Sequence, residues 1–532
     1  MNHRHLRAVA LVGGTAVALS ACSVGGQAES DGQELVKDGS FSMALDSDPG
    51  SLSPLMTVST SASQVINYLY DRMVFIDPGS GSVKSWLAEA WTEKPDEVVY
   101  TLKKGITCSN GEPLTPQTVA DNFNFVADEA NNSPLRGFSV PGDLVATAED
   151  ATGTVTLKTP TPSPFLLVNT ASIGITCQSG LRDPGSVASA SDGTGLFTLT
   201  EAVPNDHYTL TRRDGYNWGP DNQTTSDTLG TPKDVTFKVI TNPSTAANLL
   251  LSGELNAAVV SGADEDRLSS AGLGKLGTDR PMGEMFYNQL SGKPTADPAV
   301  RKALTKAVDI PNLSRIMTAD KGSISKQLSG VAPVGCRIET TGALPAADFE
   351  GASAELTAAG WLLDSNGKRS KAGKALNLAF IYNNAADTSN AAAEFAQQQW
   401  TKLGATVSIK GGDENFMIEQ LLSGKNNNDW DIAWENVNVS VPSTIVPLIS
   451  GPAPAEGLNF GSIHNTGYDS AVAKASTLTG EAACDAWAEA EEALFETADV
   501  VPFASAPSNT YLNNASGVFD TVVAGPLVRV RK

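Results

Sequence analysis

The sequence predicts a mixed α/β protein that is divided into more than one lobe. Its 532 residues exceed the roughly 100–200 residues that one domain usually holds. Beyond residue 40, short runs typical of strands alternate with stretches of helical spacing, and no internal repeat is evident. Hydrophobic residues make up 41% and charged residues 18% of the chain, which is an ordinary globular composition. We therefore expect two or three lobes of helices and strands.

The first half of the chain contains the clearest local patterns. Residues 41–45 alternate apolar with small or polar side chains, which predicts a strand, and residues 65–73 carry apolar side chains at helical spacing. Thr115 before Pro116 predicts the start of a helix, because threonine caps a helix and proline fits its first turn. Two extended runs within 197–213 surround a Pro-Asn-Asp turn and predict a hairpin.

The second half continues the alternation of helices and strands. Asp297 before Pro298 predicts another helix with one apolar stripe. Residues 272–277 match the spacing G-x-G-x-x-G, but a helical stretch precedes them and a proline follows. We therefore interpret them as a flexible turn. The remaining predicted elements are helices at 387–403 and 482–498 and strands at 405–409, 430–434 and 500–504.

The charge balance bears on the binding partners. The chain has 37 Lys and Arg residues against 59 Asp and Glu residues, so its formal net charge is −22. An acidic surface repels phosphate backbones, so general nucleic-acid binding is disfavoured.

The first 21 residues have the pattern of a secretory signal peptide. Arg4 and Arg7 lie in a short polar start, and an apolar run follows at 8–19. That run is too short for a stable bilayer span, which needs about 20 residues. The next residues, Leu-Ser-Ala-Cys, resemble a bacterial lipobox, whose cysteine is lipidated and becomes the mature N-terminus. We expect cleavage after residue 21 and lipidation of Cys22; the alternative is an ordinary signal peptide with a cysteine nearby.

Removal of residues 1–21 changes the mature chain in two ways. It deletes Arg4 and Arg7, so the formal net charge becomes −22 − 2 = −24. Residues 22–40 then form the N-terminal segment, which is rich in Gly, Ser and acidic residues and has few larger aliphatic side chains. Such a composition cannot bury a core, so we expect a flexible tether that holds the protein away from a membrane.

Motifs of known enzymes are missing from the sequence. It has no G-x-S-x-G nucleophile elbow, no H-E-x-x-H and no G-K-[ST] phosphate loop. Only His207 and His464 remain after signal cleavage, so a histidine-rich metal site is excluded. We expect no catalytic residue, no metal and no cofactor. A carboxylate pair cannot be recognised among 59 acidic residues, so a secreted hydrolase stays open as the alternative.

Six blocks of the chain form a recognisable series. They are SWLAEAW (85–91) with VYTLKKGI (99–106) and NGEPLT (110–115), GTGLFTL (193–199), RDGYNWG (213–219), LLLSGELN (249–256), DPAVRKALTKAVD (297–309), and AAGW (358–361) with GKR (367–369). In this order they resemble the extracellular solute-binding proteins of family 5, which include oligopeptide-, dipeptide- and nickel-binding components of ABC importers. One block alone would be weak evidence, whereas six in the family's order are specific. The likeness covers about residues 41–530, and Leu196 departs from it where the family usually has proline.

The same blocks have a structural meaning. We interpret Arg301 as a helix-surface ion pair rather than a site residue. Large aromatic side chains usually pack inside, so we expect most of the tryptophans in these blocks to anchor the core. These tryptophans are Trp86, Trp91, Trp218 and Trp361.

The resemblance implies an α/β fold of the two-lobed, periplasmic-binding-protein-like kind, type II in its large cluster C form. Two crossing strands, near 285–288 and 501–504, would join the lobes. A ligand would bind in the cleft between the lobes, and closure about the hinge would enclose it. The implied limits are 41–285 and 503–532 for the first lobe, 76–205 for a subdomain inserted in it, and 286–502 for the second lobe.

The resemblance also implies a function. Members of this family capture a solute outside the cytoplasm and deliver it to the permease and ATPase of an ABC importer. We expect a monomer, anchored to the cell membrane by its lipid, that binds a peptide or another small organic solute without transforming it. Besides the secreted hydrolase, a signalling or chaperone-like surface protein on the same scaffold stays open.

The second lobe contains the best candidates for ligand contact. Residues 431–440 align loosely with the family's cleft strand and the loop after it, where peptide-binding members carry an aspartate that holds the peptide's α-ammonium. This chain has Asn438 and Ser440 there, and a buried ammonium without a carboxylate is costly, which argues against a general peptide receptor of the usual kind. Glu435 could replace the carboxylate. The predicted contacts are Trp434, Glu435, Asn436, Asn438 and Ser440.

Two further segments are predicted to reach the ligand. Asn415 and Phe416 follow a predicted strand in a strand–helix loop, where ligands often bind, although Asp413 equally fits a plain helix cap. Asp48 lies in the loop after the first strand and should line the first-lobe side. Trp434 could form a stacking wall or fill the core, and the sequence favours neither.

Four cysteines remain when Cys22 is set aside, and export to an oxidising compartment favours two disulfides. Three pairings are open. We favour Cys108–Cys177 and Cys336–Cys484, because each pair then stays within one implied lobe. Either bridge would stabilise the fold by about 2–4 kcal/mol. Four buried thiols are the alternative.

Overall fold

The computed structural model describes residues 34–532, except residues 189, 263, 333, 385, 387 and 521, and it describes only the backbone of residues 188 and 415. The predicted signal peptide at 1–21 and the predicted lipidation site Cys22 therefore lie outside the described residues. Within the described part, no helix is both long enough and apolar enough to span a membrane.

Helices and strands alternate along the described chain, as the sequence pattern predicts. The strands are β1 Ser40–Leu45, β2 Val74–Ile76, β3 Val83–Ser85, β4 Ala88–Lys94, β5 Glu97–Leu102, β6 Val145–Glu149, β7 Thr154–Lys158, β8 Phe197–Val203, β9 His207–Arg212, β10 Asp234–Val239, β11 Ala257–Val259, β12 Gly274–Tyr287, β13 Leu362–Leu363, β14 Arg369–Lys371, β15 Lys374–Ala375, β16 Asn377–Asn383, β17 Thr406–Gly412, β18 Ile432–Glu435, β19 Val500–Leu512, β20 Ala515–Ser516 and β21 Arg529–Val530. The helices are α1 Thr60–Leu69, α2 Pro116–Ala127, α3 Leu166–Thr170, α4 Gln178–Arg182, α5 Pro243–Ser252, α6 Asp264–Ser270, α7 Pro298–Ala307, α8 Ile310–Met317, α9 Phe349–Ala358, α10 Ser389–Lys402, α11 Glu414–Leu422, α12 Pro442–Ile449, α13 Thr466–Ala475 and α14 Gly480–Glu496.

A ten-stranded sheet forms the centre of the fold, in the order β17-β16-β18-β12-β19-β11-β1-β10-β9-β8. Its two longest strands, β12 and β19, pair antiparallel along most of their length. β18, β16 and β17 extend the sheet beyond β12, and β11, β1, β10, β9 and β8 extend it beyond β19. We call the β8 side of the sheet the first lobe and the β17 side the second lobe.

The paired strands β12 and β19 pass from one lobe to the other, and both predicted crossing segments lie at this pair. Only the last four residues of β12 pair with β18, and within them Phe286 also lies opposite Val500 of β19. The register of the pair is irregular between Pro281 and Glu284. Irregularities of this kind bend a strand locally, so the pair bends where the lobes meet.

Apolar side chains form separate cores in the two lobes. The first-lobe core takes side chains from β1, α1, β5, α2 and β10, and the second-lobe core takes them from β12, α7, β16, α10 and β18. This is the two-lobed α/β architecture that the resemblance implies, whereas the residue limits of the lobes stay predictions. Large buried members are Phe41, Tyr68, Phe123 and Phe237 in the first lobe and Tyr287, Leu304, Phe380 and Trp400 in the second.

A separate four-stranded sheet, ordered β4-β5-β7-β6, packs with α2 in the first lobe. It falls within the subdomain predicted at 76–205. The predicted end of that subdomain is too late, because the hairpin β8–β9 pairs with β10 and so belongs to the large sheet. The local sequence pattern predicts the hairpin. It does not predict that the hairpin pairs with β10, which begins at Asp234.

The last residues of the predicted tether belong to the folded body. Val36 donates a backbone hydrogen bond to the carbonyl oxygen of Val530 at 3.0 Å, and the backbone N–H of Lys532 donates one to Glu34 at 2.9 Å. The expectation of a flexible segment is therefore wrong for residues 34–40. Backbone pairing with the C-terminal residues orders this stretch although its composition cannot bury a core.

Two predicted helix starts are confirmed by their caps. The hydroxyl of Thr115 accepts a hydrogen bond from the backbone N–H of Thr118 at 3.1 Å, and α2 begins at Pro116. Asp297 caps α7 through the backbone N–H of Ala299 at 3.0 Å. In both places a short local signal is enough to fix where the helix begins.

The predicted helix at 65–73 lies earlier in the structure. α1 begins after Ser59, whose hydroxyl accepts a hydrogen bond from the N–H of Ala62 at 3.3 Å, and it ends at Leu69. Met73 is buried, but it lies beyond the helix. The segment after the helix also packs in the core. The apolar side chain of Met73 therefore matches the helical spacing in the sequence although this residue is not in the helix.

Residues 272–277, which we interpreted as a flexible turn, belong in large part to β12. A Cβ atom at Gly277 would lie 2.2 Å from the carbonyl oxygen of Ser508 on β19. Glycine at this position therefore permits the close approach of the two central strands. β19 continues to Leu512, well beyond the strand predicted at 500–504.

Both favoured disulfides are formed. Cys108 is bonded to Cys177 in the first lobe, and Cys336 is bonded to Cys484 in the second. The sequence separations are 69 and 148 residues, so each bridge closes a long loop of the unfolded chain. Because each bridge stays within one lobe, neither restrains movement of the lobes relative to each other.

Arg301 does form an ion pair, but it is buried in the second lobe, so the prediction that this pair lies on the helix surface is wrong. The guanidinium pairs with Asp499 at 2.7 Å and donates to the carbonyl oxygens of Thr295 and Ala296 at 3.0 and 3.1 Å. These bonds compensate for the removal of the charge from water. Among the tryptophans expected in the core, Trp86, Trp218 and Trp361 are buried and Trp91 is half-buried.

Candidate functional site

Three cavities lie along the cleft between the lobes. The first-lobe cavity, of about 250 Å³, is bounded by α1, Phe138 and Arg280 of β12. The second-lobe cavity, of about 270 Å³, lies at the end of β18 around Glu435. The interlobe cavity, of about 240 Å³, lies between Val168 of the first lobe and Ser440 of the second.

The three cavities share walls. Phe138, Ser139 and Ser172 line both the first-lobe cavity and the interlobe cavity. Asn438 lines both the interlobe cavity and the second-lobe cavity. The cavities are therefore adjoining parts of one cleft, with walls from both lobes.

Trp434 packs in the core and also lines a cavity, so it has features of both roles that the sequence left open. It is 4% exposed, and its ring centroid lies 4.7 Å from that of Phe380 and 4.6 Å from that of Phe503, so it belongs to the second-lobe core. It also lines the second-lobe cavity, together with Phe503. Its indole N–H is buried and has no hydrogen-bond partner among the described residues. Its contact with a ligand stays a prediction.

Glu435 ends β18 and lines the second-lobe cavity. Its carboxylate accepts hydrogen bonds from the Asn383 side chain at 3.1 Å and from the backbone N–H of Asn436 at 2.9 Å. Burial raises the pKa of Glu435, and the charge of Glu414 acts in the same direction, whereas the two hydrogen bonds act against it. The carboxylate is thus held in place beside the cavity, in surroundings that disfavour its negative charge.

Glu284 is a buried carboxylate that the sequence analysis missed. It is 0% exposed and lies on β12 directly opposite Glu435. One of its oxygens accepts the backbone N–H of Val437 at 2.7 Å, and the other has no partner among the described residues. Burial raises its pKa well above the ordinary value, and the charges of Glu491 and Glu435 add to this effect. The available signal was a glutamate inside an otherwise apolar run at the end of β12.

The other residues predicted after β18 also line the cleft. Asn436 and Asn438 line the second-lobe cavity, and Asn438 and Ser440 line the interlobe cavity. The loop is fixed by its backbone, since the N–H of Gly335 donates to the carbonyl oxygen of Ser440 at 2.8 Å. The strand and its loop therefore bring all five predicted side chains to one wall, and their ligand contacts stay predictions.

At the start of α11, Glu414 lines the second-lobe cavity, whereas the prediction named Asn415 and Phe416. Asp413 caps the helix and accepts the backbone N–H of Phe416 at 2.9 Å. The ring of Phe416 lies 4.6 Å from the Lys410 ammonium and packs against an apolar core, whereas Glu414 lines the second-lobe cavity. The side chain of Asn415 lies outside the described part. Ligand contact by Asn415 and Phe416 stays a prediction.

Asp48 connects two parts of the first lobe. Its carboxylate accepts hydrogen bonds from the Tyr208 hydroxyl at 2.9 Å, the Gly50 backbone at 2.8 Å and the Asn205 backbone. Burial acts to raise the pKa of Asp48, but these bonds outweigh it and lower the pKa. Asp48 thus joins the loop after β1 to the β8–β9 hairpin. Its contact with a ligand stays a prediction that this geometry does not favour.

The first-lobe cavity contains polar residues that the sequence analysis did not single out. Arg72 and Arg280 line it, and Arg72 forms an ion pair with Asp520 at 3.0 Å. Asn67, on α1, also lines it. Arg280 is far from Asn67 and Arg72 in the sequence, and none of the three belongs to a motif, so only the tertiary structure brings Arg280 to the other two.

The side chains that line the cleft include many polar groups that can form hydrogen bonds and ion pairs. Among the described residues, no group of three or more His, Cys, Asp or Glu side chains is arranged to hold a metal ion. The polar groups that line the cavities are carboxylates, amides, hydroxyls and guanidinium groups. Such groups recognise charged and hydrogen-bonding functional groups of a ligand.

Comparison with known proteins decides the family. Residues 82–452, more than half of the chain, match the family described as bacterial extracellular solute-binding proteins, family 5, middle part. The chain belongs to this family. This family 5 protein is 26% identical over 385 residues to the nickel-binding periplasmic protein of Escherichia coli strain K12, across 68% of this chain and 70% of that protein.

Solved structures have the same fold as this family 5 protein. The unliganded open form of MppA, a periplasmic murein tripeptide binding protein, has a TM-score of 0.75 at 19% identity, and the match covers 94% of this chain and 99% of that one. The oligopeptide-binding protein AppA of Bacillus subtilis, in complex with a nonapeptide, has a TM-score of 0.61 at 18% identity, with 94% and 100% covered. At these identities the likeness shows the two-lobed α/β fold.

Family membership indicates what kind of ligand site the cleft is. The family and its fold are those of solute-binding proteins, and the family is extracellular. The cleft between the lobes of this family 5 protein is therefore its candidate solute-binding site.

Proposed function

We propose that this family 5 protein is a receptor outside the cytoplasm that captures a peptide or another small organic solute between its lobes and delivers it to an ABC importer. The cleft carries the proposal, because its adjoining cavities have walls from both lobes beside the strand pair that joins them. A solute that contacts both lobes shifts the population toward the closed form. The permease would recognise that form.

Glu435 is the group that we assign to a cationic end of the solute. Glu435 and Glu414 are the charged residues that line the second-lobe cavity, and Trp434 supplies an aromatic wall. An ammonium beside Glu435 would favour the ionised carboxylate and lower its raised pKa. This pairing would compensate for Asn438 and Ser440, which replace the aspartate of peptide-binding members. Because tripeptide and oligopeptide binding is named for two structural neighbours, short peptides are the first ligands to test.

Binding without turnover fits the cleft better than hydrolysis does. Glu284 and Glu435 form an adjacent carboxylate pair, but Glu284 is fully buried and its bonded oxygen accepts the backbone N–H of Val437. A general base must reach a proton of the substrate or of the attacking water. A carboxylate sealed from the cavity does not meet this requirement. We therefore propose that the protein is not an enzyme.

We also propose that the mature protein is a monomer anchored to the cell membrane by a lipid on Cys22. The signal peptide pattern at 1–21 and the lipobox-like residues before Cys22 support this part of the proposal. Backbone pairing of Val36 with Val530 would then hold the first lobe next to the anchor segment.

Native mass spectrometry of the purified protein tests the proposed function. We expect one small molecule for each chain, released when the protein unfolds and unchanged after prolonged incubation. Calorimetric titration with the recovered molecule should give a stoichiometry of one. Conversion of the molecule during incubation would support the hydrolase, and a protein that binds no small molecule in either experiment would contradict the receptor.

A further inference from the structure

The charges that line the cleft differ between its two ends. Arg72 and Arg280 are the charged residues among those that line the first-lobe cavity, whereas Glu414 and Glu435 are those of the second-lobe cavity. Arg72 is already paired with Asp520, whose carboxylate lies at 3.0 Å. Arg280 has no ion-pair partner among the described residues, so it is the arginine of this cavity that we consider available to a ligand.

Arg280 lacks part of its expected hydrogen bonding. Its Nε is buried and has no hydrogen-bond partner among the described residues. A guanidinium carries five N–H donors and stays charged at any physiological pH. A buried donor without an acceptor is energetically costly, so proteins rarely leave such a group unsatisfied without a functional reason.

Asn67, which lines the same cavity, has a second unsatisfied polar group. It is 3% exposed, and both the nitrogen and the oxygen of its side chain are buried without partners among the described residues. It lies on α1 and lines the first-lobe cavity together with Arg280. The cavity thus contains a guanidinium donor and an amide donor that no described residue satisfies.

The position of Arg280 on β12 directs it to the cleft. Arg280 and Met282 lie at the irregular part of β12, where the regular alternation of side chains is interrupted. Arg280 lines the first-lobe cavity and Met282 lines the second-lobe cavity, so this part of β12 contributes side chains to both cavities. The neighbours Asp279 and Pro281 line a different cavity. A solute lying along β12 therefore extends from the carboxylates of the second lobe toward Arg280.

We propose that the first-lobe cavity is an anion subsite in which Arg280 and Asn67 bind a carboxylate of the transported solute. This inference rests on the proposed function and specifies its ligand class, a small molecule that carries an anionic group. The guanidinium of Arg280 donates charge-assisted hydrogen bonds to the carboxylate, and the Asn67 amide donates a further one. A solute that also carries an ammonium would place it at Glu435.

A library of paired compounds tests the subsite. It contains di- and tripeptides with free carboxyl termini together with their C-terminal amides, and aliphatic and aromatic carboxylic acids together with their methyl esters. The purified protein is incubated with the library, and the retained compounds are identified by native mass spectrometry. We expect each retained acid to be bound at least tenfold more tightly than its uncharged partner.

Variants assign this preference to Arg280. Arg280→Gln should reduce the preference for the acid to about twofold or less, and Arg280→Lys should retain most of it because it keeps the positive charge. Arg315→Gln removes an exposed arginine that pairs with Asp320 outside the cleft, and it should leave the preference unchanged. Asn67→Asp provides an independent variant: it places a carboxylate in the cavity and should weaken acid binding at least tenfold.

The outcomes separate this inference from the proposed function. Equal binding of acids and their uncharged partners would overturn the anion subsite and leave the receptor intact. An unchanged preference in both folded variants, Arg280→Gln and Asn67→Asp, would also overturn it. Retention of no compound from the library would overturn the anion subsite, whereas the receptor is tested separately by the solute that co-purifies with the protein. Thermal unfolding curves establish that each variant is folded before its binding is compared.

Discussion

Glu284 and Glu435 lie directly opposite each other on the neighbouring antiparallel strands β12 and β18. Side chains in such positions have Cβ atoms about 5 Å apart, and like charges placed there destabilise the pair. One carboxylate is sealed from solvent, and the other lines the second-lobe cavity. Burial raises the pKa of both. The pair therefore strongly disfavours two negative charges unless a cation binds beside Glu435.

Glu435→Gln should separate the binding role of this residue from its structural role. Gln keeps the oxygen that accepts from Asn383 but removes the charge that faces Glu284. We expect the free energy of unfolding in urea to stay the same or to rise by about 1 kcal/mol, because like charges no longer lie opposite each other. We expect the affinity for a cationic solute to fall at least tenfold in calorimetric titration. Glu419→Gln, on the exposed face of α11, is the control. Unchanged affinity in Glu435→Gln would refute the proposed ammonium contact.

Glu491 should make the stability decrease as the pH rises. Burial raises the pKa of Glu491 to about 7, whereas the carboxyl of the unfolded chain titrates near its ordinary value of 4.5. The folded state thus binds more protons, so this contribution is fully present below about pH 4.5 and is lost as the pH rises through about 7. The loss amounts to about 3 kcal/mol. Urea unfolding between pH 4.5 and 8 should show a flatter dependence in Glu491→Gln than in the wild type.

The neighbouring Glu492 supplies the control for this measurement. It is exposed on the same helix, so Glu492→Gln should follow the pH dependence of the wild type. If Glu491→Gln and the wild type lose stability in parallel across this pH range, Glu491 does not bind the additional proton.

Trp434→Phe should weaken solute binding more than it weakens the fold. Phenylalanine preserves much of the packing against Phe380 and Phe503 but removes the indole N–H and part of the cavity wall. A lost aromatic contact is worth about 0.5–1.5 kcal/mol, so we expect the dissociation constant to rise about two- to tenfold. Trp361→Phe, elsewhere in the second-lobe core, should leave the dissociation constant unchanged. The same affinity in both variants would mean that Trp434 only fills the core.

The disulfide Cys336–Cys484 should stabilise the second lobe without affecting the hinge. Its replacement by two serines should lower the free energy of unfolding by about 2–4 kcal/mol, because the bridge closes a long loop of the unfolded chain. Solute affinity should stay within about twofold, since the bridge does not connect the lobes. Chemical unfolding and calorimetry measure the two quantities. A large loss of affinity in a folded variant would show that the bridge shapes the cleft.

Cys22→Ser should release the protein from the membrane. A serine cannot accept the thioether-linked lipid, so we expect the protein to move from the membrane fraction to the soluble fraction. The mass of the mature wild-type N-terminus should include the lipid. Ser23→Ala, one residue further on, should leave the protein in the membrane fraction. Membrane retention of Cys22→Ser would disprove the proposed anchor.

Local signals in the sequence predict many elements of the fold, because the physical cause lies within a few residues. Thr115 and Asp297 mark helix starts since their side chains accept the first free N–H groups of the helix. The hairpin β8–β9 is recognisable from its turn. Strand β19 is predicted too short, because its second half contains Ser, Pro and Asn residues that are stabilised by pairing with β12 and have no strand pattern of their own.

The candidate site could be predicted only where it follows the chain. The residues from Trp434 to Ser440 are contiguous with one strand, so their joint position on one wall of the cleft follows from the resemblance. Glu284 joins that wall through sheet pairing, and Arg280 on β12 and Asn67 on α1 line one cavity. Such contacts depend on the register of strands that are distant in sequence, which local patterns do not specify.

Val36 pairs with Val530 and Glu34 pairs with Lys532, so a force applied to the N-terminal segment acts on the first lobe at these residues. Any pull on the N-terminal segment is borne by the first lobe at the same place where the C-terminal residues lie. The second lobe is joined to the first through the strand pair β12–β19. With the proposed anchor attached to the first lobe, the second lobe can close on a solute without moving the point of attachment.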